Sequence, residues 1–266
     1  MDTIRIAIVG AGGRMGQRLI AIGKQDSRFE LAAAVESPAF PNLGQDAGEP
    51  AGVGNLNLPY LSAVPGDAQL NAVIDFSQPQ GADATIDACV AYKIPLIMAT
   101  TGLSDLQKKK IADAGKTIPV VFAPSMSPAV NLAMKLTEVA AHALKDMDAD
   151  VEIIERHHRF KKDAPSGTAL KFGKIVANQM GQDKETFGRE GIIGERPHNE
   201  IGYHALRVGD NPGEHTIVFG LLGETLEITV KATNRDCYAK GAYAAAAWLQ
   251  GKPIGLYSME DVLGLR

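Results

Sequence analysis

Cysteine is scarce in this sequence: Cys89 and Cys237 are the only two among 266 residues, and no Cys-x-x-Cys or Cys/His ligand spacing occurs. That excludes a disulfide framework and a structural zinc site, and both thiols read as buried structural residues in apolar surroundings. No unbroken apolar run approaches the ~20 residues that a bilayer span needs. The Met-Asp-Thr start carries no basic segment ahead of an apolar one, so a cytoplasmic location without a membrane partner is expected. Basic charge is not in excess either. A formal net charge of -4 offers no field for phosphate backbones, which disfavours nucleic acid as a partner and leaves room only for a local basic pocket that holds a small anion. Internal repeats and low-complexity segments are absent.

What is present is ordinary for a globular chain, with 45% hydrophobic and 22% charged residues in a length that allows one large domain or two smaller ones. Short apolar runs at 4–9, 31–35, 73–76, 96–99 and 119–123 alternate with helical stretches at 14–24, 81–91 and 105–114. That alternation predicts an α/β fold, a doubly wound parallel sheet of the Rossmann kind. The segment 37–65 is rich in Gly, Pro and Asn without a period and reads as a long surface loop or flap. After about Ser127 the pattern changes. A helix over 130–144 leads to a strand over 151–157 and a helix over 167–179, and closely spaced strand runs follow at 201–208, 215–220 and 226–231. These predict an α+β domain with an open mixed sheet. The expected division is 1–127 with 238–266 as a dinucleotide-binding domain, the last helix and tail packing back on it, and 128–237 as a second, substrate-binding domain.

Two stretches carry chemistry. In the first, Ile6-Ala7-Ile8-Val9-Gly10-Ala11-Gly12-Gly13-Arg14-Met15-Gly16 joins a strand to a helix. Glycines there let the backbone turn tightly and approach a pyrophosphate, whose charge the helix N-terminus favours. Met15 breaks the strict Gly-x-Gly-x-x-Gly frame, and Gly10, Gly13 and Gly16 form the better one. Glu36 ends the next strand, twenty residues past Gly16, where a carboxylate accepts from ribose hydroxyls. A nicotinamide dinucleotide is therefore the expected cofactor, against the alternative of a merely structural turn. Ser37 supplies no charge for a 2′-phosphate, so NADH is expected to be accepted well, and use of NADPH would lean on Arg14 or a loop lysine. The turns Ala99-Thr100-Thr101 and Ala123-Pro124-Ser125-Met126 end later strands, where a doubly wound sheet binds its ligand; otherwise they are ordinary strand-to-loop turns.

The second stretch runs from Glu155 through His157-His158-Arg159-Phe160-Lys161 to Asp163-Ala164-Pro165-Ser166-Gly167-Thr168. A strand ends in a cationic loop, and Pro165 and Ser166 start a helix. The N–H groups of Ser166, Gly167 and Thr168 would then be free to hold a carboxylate. Strand alternation turns one of His157 and His158 away, so one of them at most is a proton donor. A solvated basic face with structural histidines is the plainer reading of the same residues. Glu155 completes no metal set, and no metal is expected. His142, His198, His204 and His215 have no motif around them and read as structural or surface residues.

This stretch, with Gly-Ala-Gly-Gly-Arg-Met-Gly, Ile-Asp-Phe-Ser, Thr-Thr-Gly, Gly-Glu-x-Leu-Glu-Ile-Thr and Gly-Ala-Tyr-Ala-Ala, resembles the signature of the 4-hydroxy-tetrahydrodipicolinate reductases of diaminopimelate and lysine biosynthesis, over nearly the whole chain. The resemblance implies hydride transfer from NADH or NADPH to a small dicarboxylate imine, and a homotetramer built by the second domain's open sheet. It implies His157 as proton donor and Lys161 as a second catalytic group. His158 and the pair Gly167 and Thr168 match substrate-binding positions, with Ser166 beside them in the carboxylate cradle. Gly10, Ala11, Gly12, Gly13, Arg14, Met15, Glu36, Ala99, Thr100, Thr101, Ala123, Pro124, Ser125 and Met126 match cofactor-binding positions. The chain departs from many members at Ala99, Ser125, Ser37 and Phe160, where Gly, Asn, Arg and His are often found. Two competing readings remain: another Rossmann dehydrogenase of a small amino or imino acid, and a nicotinamide-sensing regulator without turnover.

Overall fold

The computed structural model describes residues 3–266; Met1 and Asp2, with which the expected first domain opens, lie outside the described residues. The chain begins with β1 (Ile4–Val9), α1 (Arg14–Gln25), β2 (Phe29–Val35), β3 (Tyr60–Leu61), β4 (Ala72–Asp75), α2 (Pro79–Tyr92), β5 (Leu96–Met98), α3 (Asp105–Ala114) and β6 (Pro119–Phe122). It continues with α4 (Pro128–Leu144), β7 (Asp150–His157), α5 (Gly167–Met180), β8 (Lys184–Phe187), β9 (Glu200–Arg207), β10 (Gly213–Leu221) and β11 (Glu224–Ala232). It closes with α6 (Asp236–Leu249), β12 (Gly255–Tyr257) and α7 (Met259–Val262). The chain divides into two compact units, Met1–Pro128 with Arg235–Arg266, and Ala129–Asn234.

In the first unit seven strands lie in the order β12-β6-β5-β4-β1-β2-β3, all pairs parallel. Ile6, Ala7 and Ile8 are fully buried in succession, as a strand covered on both faces requires. Leu19 and Ile20 of α1 join Ala242 and Ala246 of α6 in the core on one face. Ala82 and Ile86 of α2 join Ile111 of α3 on the other. This is the doubly wound parallel sheet read from the alternation of apolar runs. The segment 37–65 differs from the featureless surface loop expected of it. The Asp46 carboxylate accepts from the N–H groups of Gly48, Leu56 and Leu58 at 2.8–3.1 Å, Ala47, Leu58 and Tyr60 are buried, and β3 pairs with β2. One carboxylate that bonds three backbone donors replaces the regular ladder, which is why no period marks the segment. The cysteine expectation holds for Cys89, which is buried, and fails for Cys237, which is half-buried.

The second unit is a five-stranded mixed sheet in the order β11-β10-β7-β9-β8. β7 runs antiparallel to β10 and parallel to β9. Val151, Ile153, Glu155 and His157 of β7 are buried, and the residues between them are half-buried or exposed, the period-2 pattern of a sheet with one covered face. Val130 and Met134 of α4, Phe172 and Val176 of α5, and Ile217 and Phe219 of β10 fill the core on that face. α5 lies close because residue 173 is glycine: a Cβ there would stand 1.7 Å from the Tyr203 hydroxyl oxygen. The sequence reading missed β8 and β12. Among the described residues no helix is long and apolar enough to cross a membrane.

Candidate active site

The glycine turn sits at the carboxyl end of β1, an interior strand paired with β4 and β2. Gly10 has φ +77°, and a Cβ there would come within 2.8 Å of the Ser77 backbone, so only glycine serves. A Cβ at residue 16 would stand 2.2 Å from the Gly10 carbonyl oxygen, which sets how closely α1 can start against the turn. Gly13 is the N-cap of α1, has no side chain to cover the helix end, and precedes a first turn without acidic residues. The N-terminal N–H groups of α1 are left for an anion. Glu36, at the end of β2, accepts from Gly12 N at 2.9 Å and Ser37 N at 3.0 Å. The Phe40 ring stands against Gly12, 2.5 Å from where a Cβ would be. The exposed Arg14 opens α1 and Met15 packs against the core. A bare helix N-terminus above an interior strand, with a carboxylate twenty residues on, fits a dinucleotide's pyrophosphate and ribose.

The later strand ends are less open than the sequence suggests. Thr100 is buried and its hydroxyl donates to Asp75 Oδ1 at 2.8 Å; it ties the end of β5 to that of β4, and its side chain is not free for a cofactor. Met126 is likewise fully buried in the core, so only its backbone could meet a ligand. Ala99 and Ala123 are core residues too, whereas Thr101 and Pro124 are exposed and Ser125 is half-buried.

In the second unit the inward face of β7 changes character toward its end, from Val151 and Ile153 to Glu155 and His157. Residues i and i+2 share a face of a strand, so the Glu155 carboxylate meets His157 Nδ1 directly. Arg207, beside His157 on β9, forks onto the same carboxylate, Nη1 to Oε2 at 2.9 Å and Nη2 to Oε1 at 2.7 Å. Arg207 also donates to the Asp163 carbonyl oxygen at 2.6 Å. Burial works against the charge on Glu155, but Arg207, His157 and the Ser166 N–H outweigh it and hold the carboxyl below its usual range. His157 is 8% exposed. Burial pushes its pKa below the ordinary value, Glu155 opposes that, and Lys161 and Arg207 add to it.

His215, which the sequence reading left without a role, is buried on β10 with its ring edge-on to His157, centroids 5.3 Å apart. Burial and then the neighbouring His157 push its pKa down to about 4, so it is neutral through the physiological range. His158, past the end of β7, is half-buried with an unpartnered Nδ1. Lys161 pairs with Asp163 at 2.9 Å. The loop between them is pinned by Arg159 N to Gly209 O and Lys161 N to His158 O.

The start of α5 differs from the carboxylate cradle expected at Ser166. The Ser166 N–H is not free for a carboxylate ligand: it donates to Glu155 Oε1 at 3.0 Å. The Ser166 hydroxyl caps α5 by accepting from Ala169 N at 3.2 Å, and the residue is 2% exposed. Ser166 therefore joins the start of α5 to the end of β7. The cradle narrows to Gly167 and Thr168, the first two helical residues, whose N–H groups precede any i−4 carbonyl in the helix. Open space adjoins Gly167.

Comparison with known proteins gives this arrangement a lineage. Residues 4–126 match the family model described as dihydrodipicolinate reductase, N-terminus, and residues 129–263 match the one for the C-terminus. A 4-hydroxy-tetrahydrodipicolinate reductase of Rhodopirellula baltica is 55% identical over 98% of this chain and 96% of its own length. A dipicolinate-bound dihydrodipicolinate reductase from Paenisporosarcina sp. TG-14 superposes with a TM-score of 0.78 at 22% identity, over 97% of this chain and 98% of its own. A probable dehydrogenase from Thermotoga maritima shares the fold more loosely, with a TM-score of 0.61 at 13% identity over 97% and 92%. Two family models laid end to end and a full-length relative above half identity leave one conclusion: the chain belongs to the dihydrodipicolinate reductase family.

Proposed function

We propose that the chain reduces 4-hydroxy-tetrahydrodipicolinate to tetrahydrodipicolinate, with loss of water, using NAD(P)H in the diaminopimelate and lysine pathway, with His157 as the proton donor. The observation that carries this reading is the buried His157 at the end of β7, held by Glu155 beside a cationic loop and an open helix start, in a chain 55% identical to a named reductase. The substrate is a cyclic imine with two carboxylates. When bound, NAD(P)H would supply the hydride that the conjugated ring accepts once water has left. His157 then protonates the enamine, a task suited to an imidazole, which can both carry and release a proton. Lys161, the Gly167 and Thr168 N–H groups and His158 hold a substrate carboxylate and oppose the negative charge that builds on the ring. Glu36 would hold the adenosine ribose, and the Gly10–Met15 turn would receive the pyrophosphate.

Cofactor preference follows from charge. Glu36 is followed by uncharged Ser37, which favours NADH over the 2′-phosphorylated form. The open face of the second unit's sheet presents Ile154, Leu206 and Val218, and we assign it to assembly of a homotetramer in the cytoplasm. Spectrophotometry with fresh substrate and each cofactor tests the function. His157→Gln is expected to lower kcat by about 100-fold or more while the NADH dissociation constant stays within a few-fold. Loss of NADH binding at unchanged turnover would overturn the role of His157. Cofactor binding without any turnover by the unmodified protein would favour the sensing regulator.

A further inference from the structure

Glu155 has no part in the chemistry above, yet each of its oxygens takes two donors. Oε1 receives the Ser166 N–H and Arg207 Nη2; Oε2 receives Arg207 Nη1 and His157 Nδ1. We propose that Glu155, clamped by Arg207, is a positioning residue that fixes the neutral His157 ring as the Nδ1–H tautomer, so that the transferable proton is carried on Nε2 alone. The inference rests on the reading of His157 as the donor and adds how its proton is aimed.

An ionised carboxylate only accepts, and Arg207 keeps its charge at any working pH, so Glu155 stays an acceptor. Its neighbour Nδ1 must then be the N–H of the neutral ring. Nε2 faces the opposite way, toward Gly213, where a Cβ would stand 2.9 Å from it. The missing side chain leaves that nitrogen uncovered by residue 213. The same carboxylate also holds Ser166 at the head of α5, and the same guanidinium holds the Asp163 carbonyl. One ion pair thus sets the direction of the ring and the position of the cradle together. A pair retained for stability alone has a cheaper substitute, because replacing a buried ion pair by apolar residues is often neutral or stabilising.

The charged and titratable groups facing His157 are Glu155 on β7, Arg207 on β9, His215 on β10 and Lys161 in the loop. Protonation of His157 is helped by Glu155 and opposed by Arg207 and Lys161. Replacing each partner of the clamp therefore moves the titration of His157 in opposite directions. In Glu155→Gln the amide nitrogen falls toward the donors on Arg207 and His157, because Oε1 keeps the Ser166 N–H. Nδ1 then becomes an acceptor and the ring proton moves to Nε2.

The first test uses the unmodified protein. Nitrogen-15 shifts of histidine-labelled enzyme, assigned by loss of the signal in His157→Gln, are expected to report Nδ1–H on the neutral ring; Nε2–H would overturn the proposal whatever the variants do. The second test is the pH profile of kcat. Its upper limb, where the donor loses its proton, is expected to fall by about one pH unit or more in Glu155→Gln, and to rise in Arg207→Gln. In Glu155→Gln the kcat optimum is expected to drop by roughly 10- to 100-fold, with KM for NADH little changed. Limbs that stay in place, or move the same way in both variants, would assign the clamp a structural role and overturn the inference. The unmodified enzyme's turnover is measured in the same series. Its absence would sink the reductase reading itself, whereas the tautomer is read without turnover.

Discussion

Gly213→Ala puts one methyl group beside Nε2 of His157, the nitrogen from which the proposed donor would deliver its proton. Gly213 is the first residue of β10 and has φ +151°, a conformation that an L residue adopts only under strain. The added Cβ would stand 2.9 Å from Nε2, 3.3 Å from Cδ2 and 3.8 Å from Cε1 of the His157 ring. Ordinary contact needs about 3.5 Å or more, so ring or strand must retreat by about half an ångström. The ring has little freedom: Glu155 holds Nδ1 and His215 meets it edge-on. The strand end is held as well, since Gly213 N donates to Asn211 Oδ1 at 2.8 Å and β10 is paired on both sides. Strain and overpacking at one site cost about 1–3 kcal/mol, which a domain of this size tolerates.

Catalysis suffers more, because a misplacement of about 1 Å is worth up to ~100-fold, so kcat is expected to fall by roughly 10- to 100-fold. Steady-state rates at saturating substrate measure it. Fluorescence titration of NADH, expected to be unchanged, separates the loss from unfolding, and a urea midpoint gives the stability cost. A variant that keeps full kcat would refute the placement of Nε2 as the reacting nitrogen. So would one whose activity loss merely follows its unfolded fraction.

Acid stability offers a further check. Burial works against the charge on Glu152, but Arg189, His204 and Arg196 outweigh it and hold its carboxyl at about 2, against an ordinary 4.5. A depressed carboxylate stabilises the fold fully above the unfolded value and loses that contribution as pH falls from about 4.5 toward 2. The displacement is worth at most about 3 kcal/mol, and partial exposure reduces it to roughly 1–2 kcal/mol. By pH 3 somewhat more than half of that contribution is gone, so the loss of urea-derived stability between pH 6 and pH 3 should be smaller in Glu152→Gln by about 1 kcal/mol; equal losses would contradict the linkage. Thr100→Val strips a donor from the buried Asp75 carboxylate and should cost about 1–3 kcal/mol, with NADH affinity unchanged, since that hydroxyl is already committed. A loss of affinity without a loss of stability would return Thr100 to the cofactor site. Ser37→Arg should raise kcat/KM with NADPH by roughly tenfold relative to NADH; an unchanged ratio of the two would place the discrimination elsewhere.

The sequence was most legible where a single segment carries its own signal. β1 shows as a run of apolar residues because both its faces are covered, and the Ser-Gly-Thr start of α5 shows as a capped helix. β8 did not show, because Lys184, Glu185 and Phe187 are exposed and an edge strand needs no apolar alternation. The segment 37–65 concealed its order because Asp46 supplies the acceptors that a strand would. At the site, Glu155 was readable in principle, two residues ahead of His157 on one face of a strand. Arg207 and His215 were not, since Arg207 lies 52 residues from Glu155 and only the pairing of β7 with β9 and β10 brings both beside it. Ser166 was misjudged for a related reason: a helix start looks free until the partner that fills it is known, and that partner sits eleven residues away.

β7 shows why so much function fits on so short a segment. Its inward residues run from Val151 and Ile153, which hold the core, to Glu155 and His157, the pair proposed to aim a proton. Its outward residues, Glu152, Ile154 and Arg156, lie on the face left open. The pleat keeps the two sets apart, so a substitution on one face leaves the other's geometry in place. A slip of one residue in register would exchange the faces, exposing His157 and Glu155 and burying Arg156. That register is fixed twice, by Ile153 against Ile217 on β10 and against Tyr203 on β9, residues that are all buried. The apolar half of the strand therefore positions the half that carries Glu155 and His157, and a cavity cut at Ile153 should loosen His157 before it unfolds the unit.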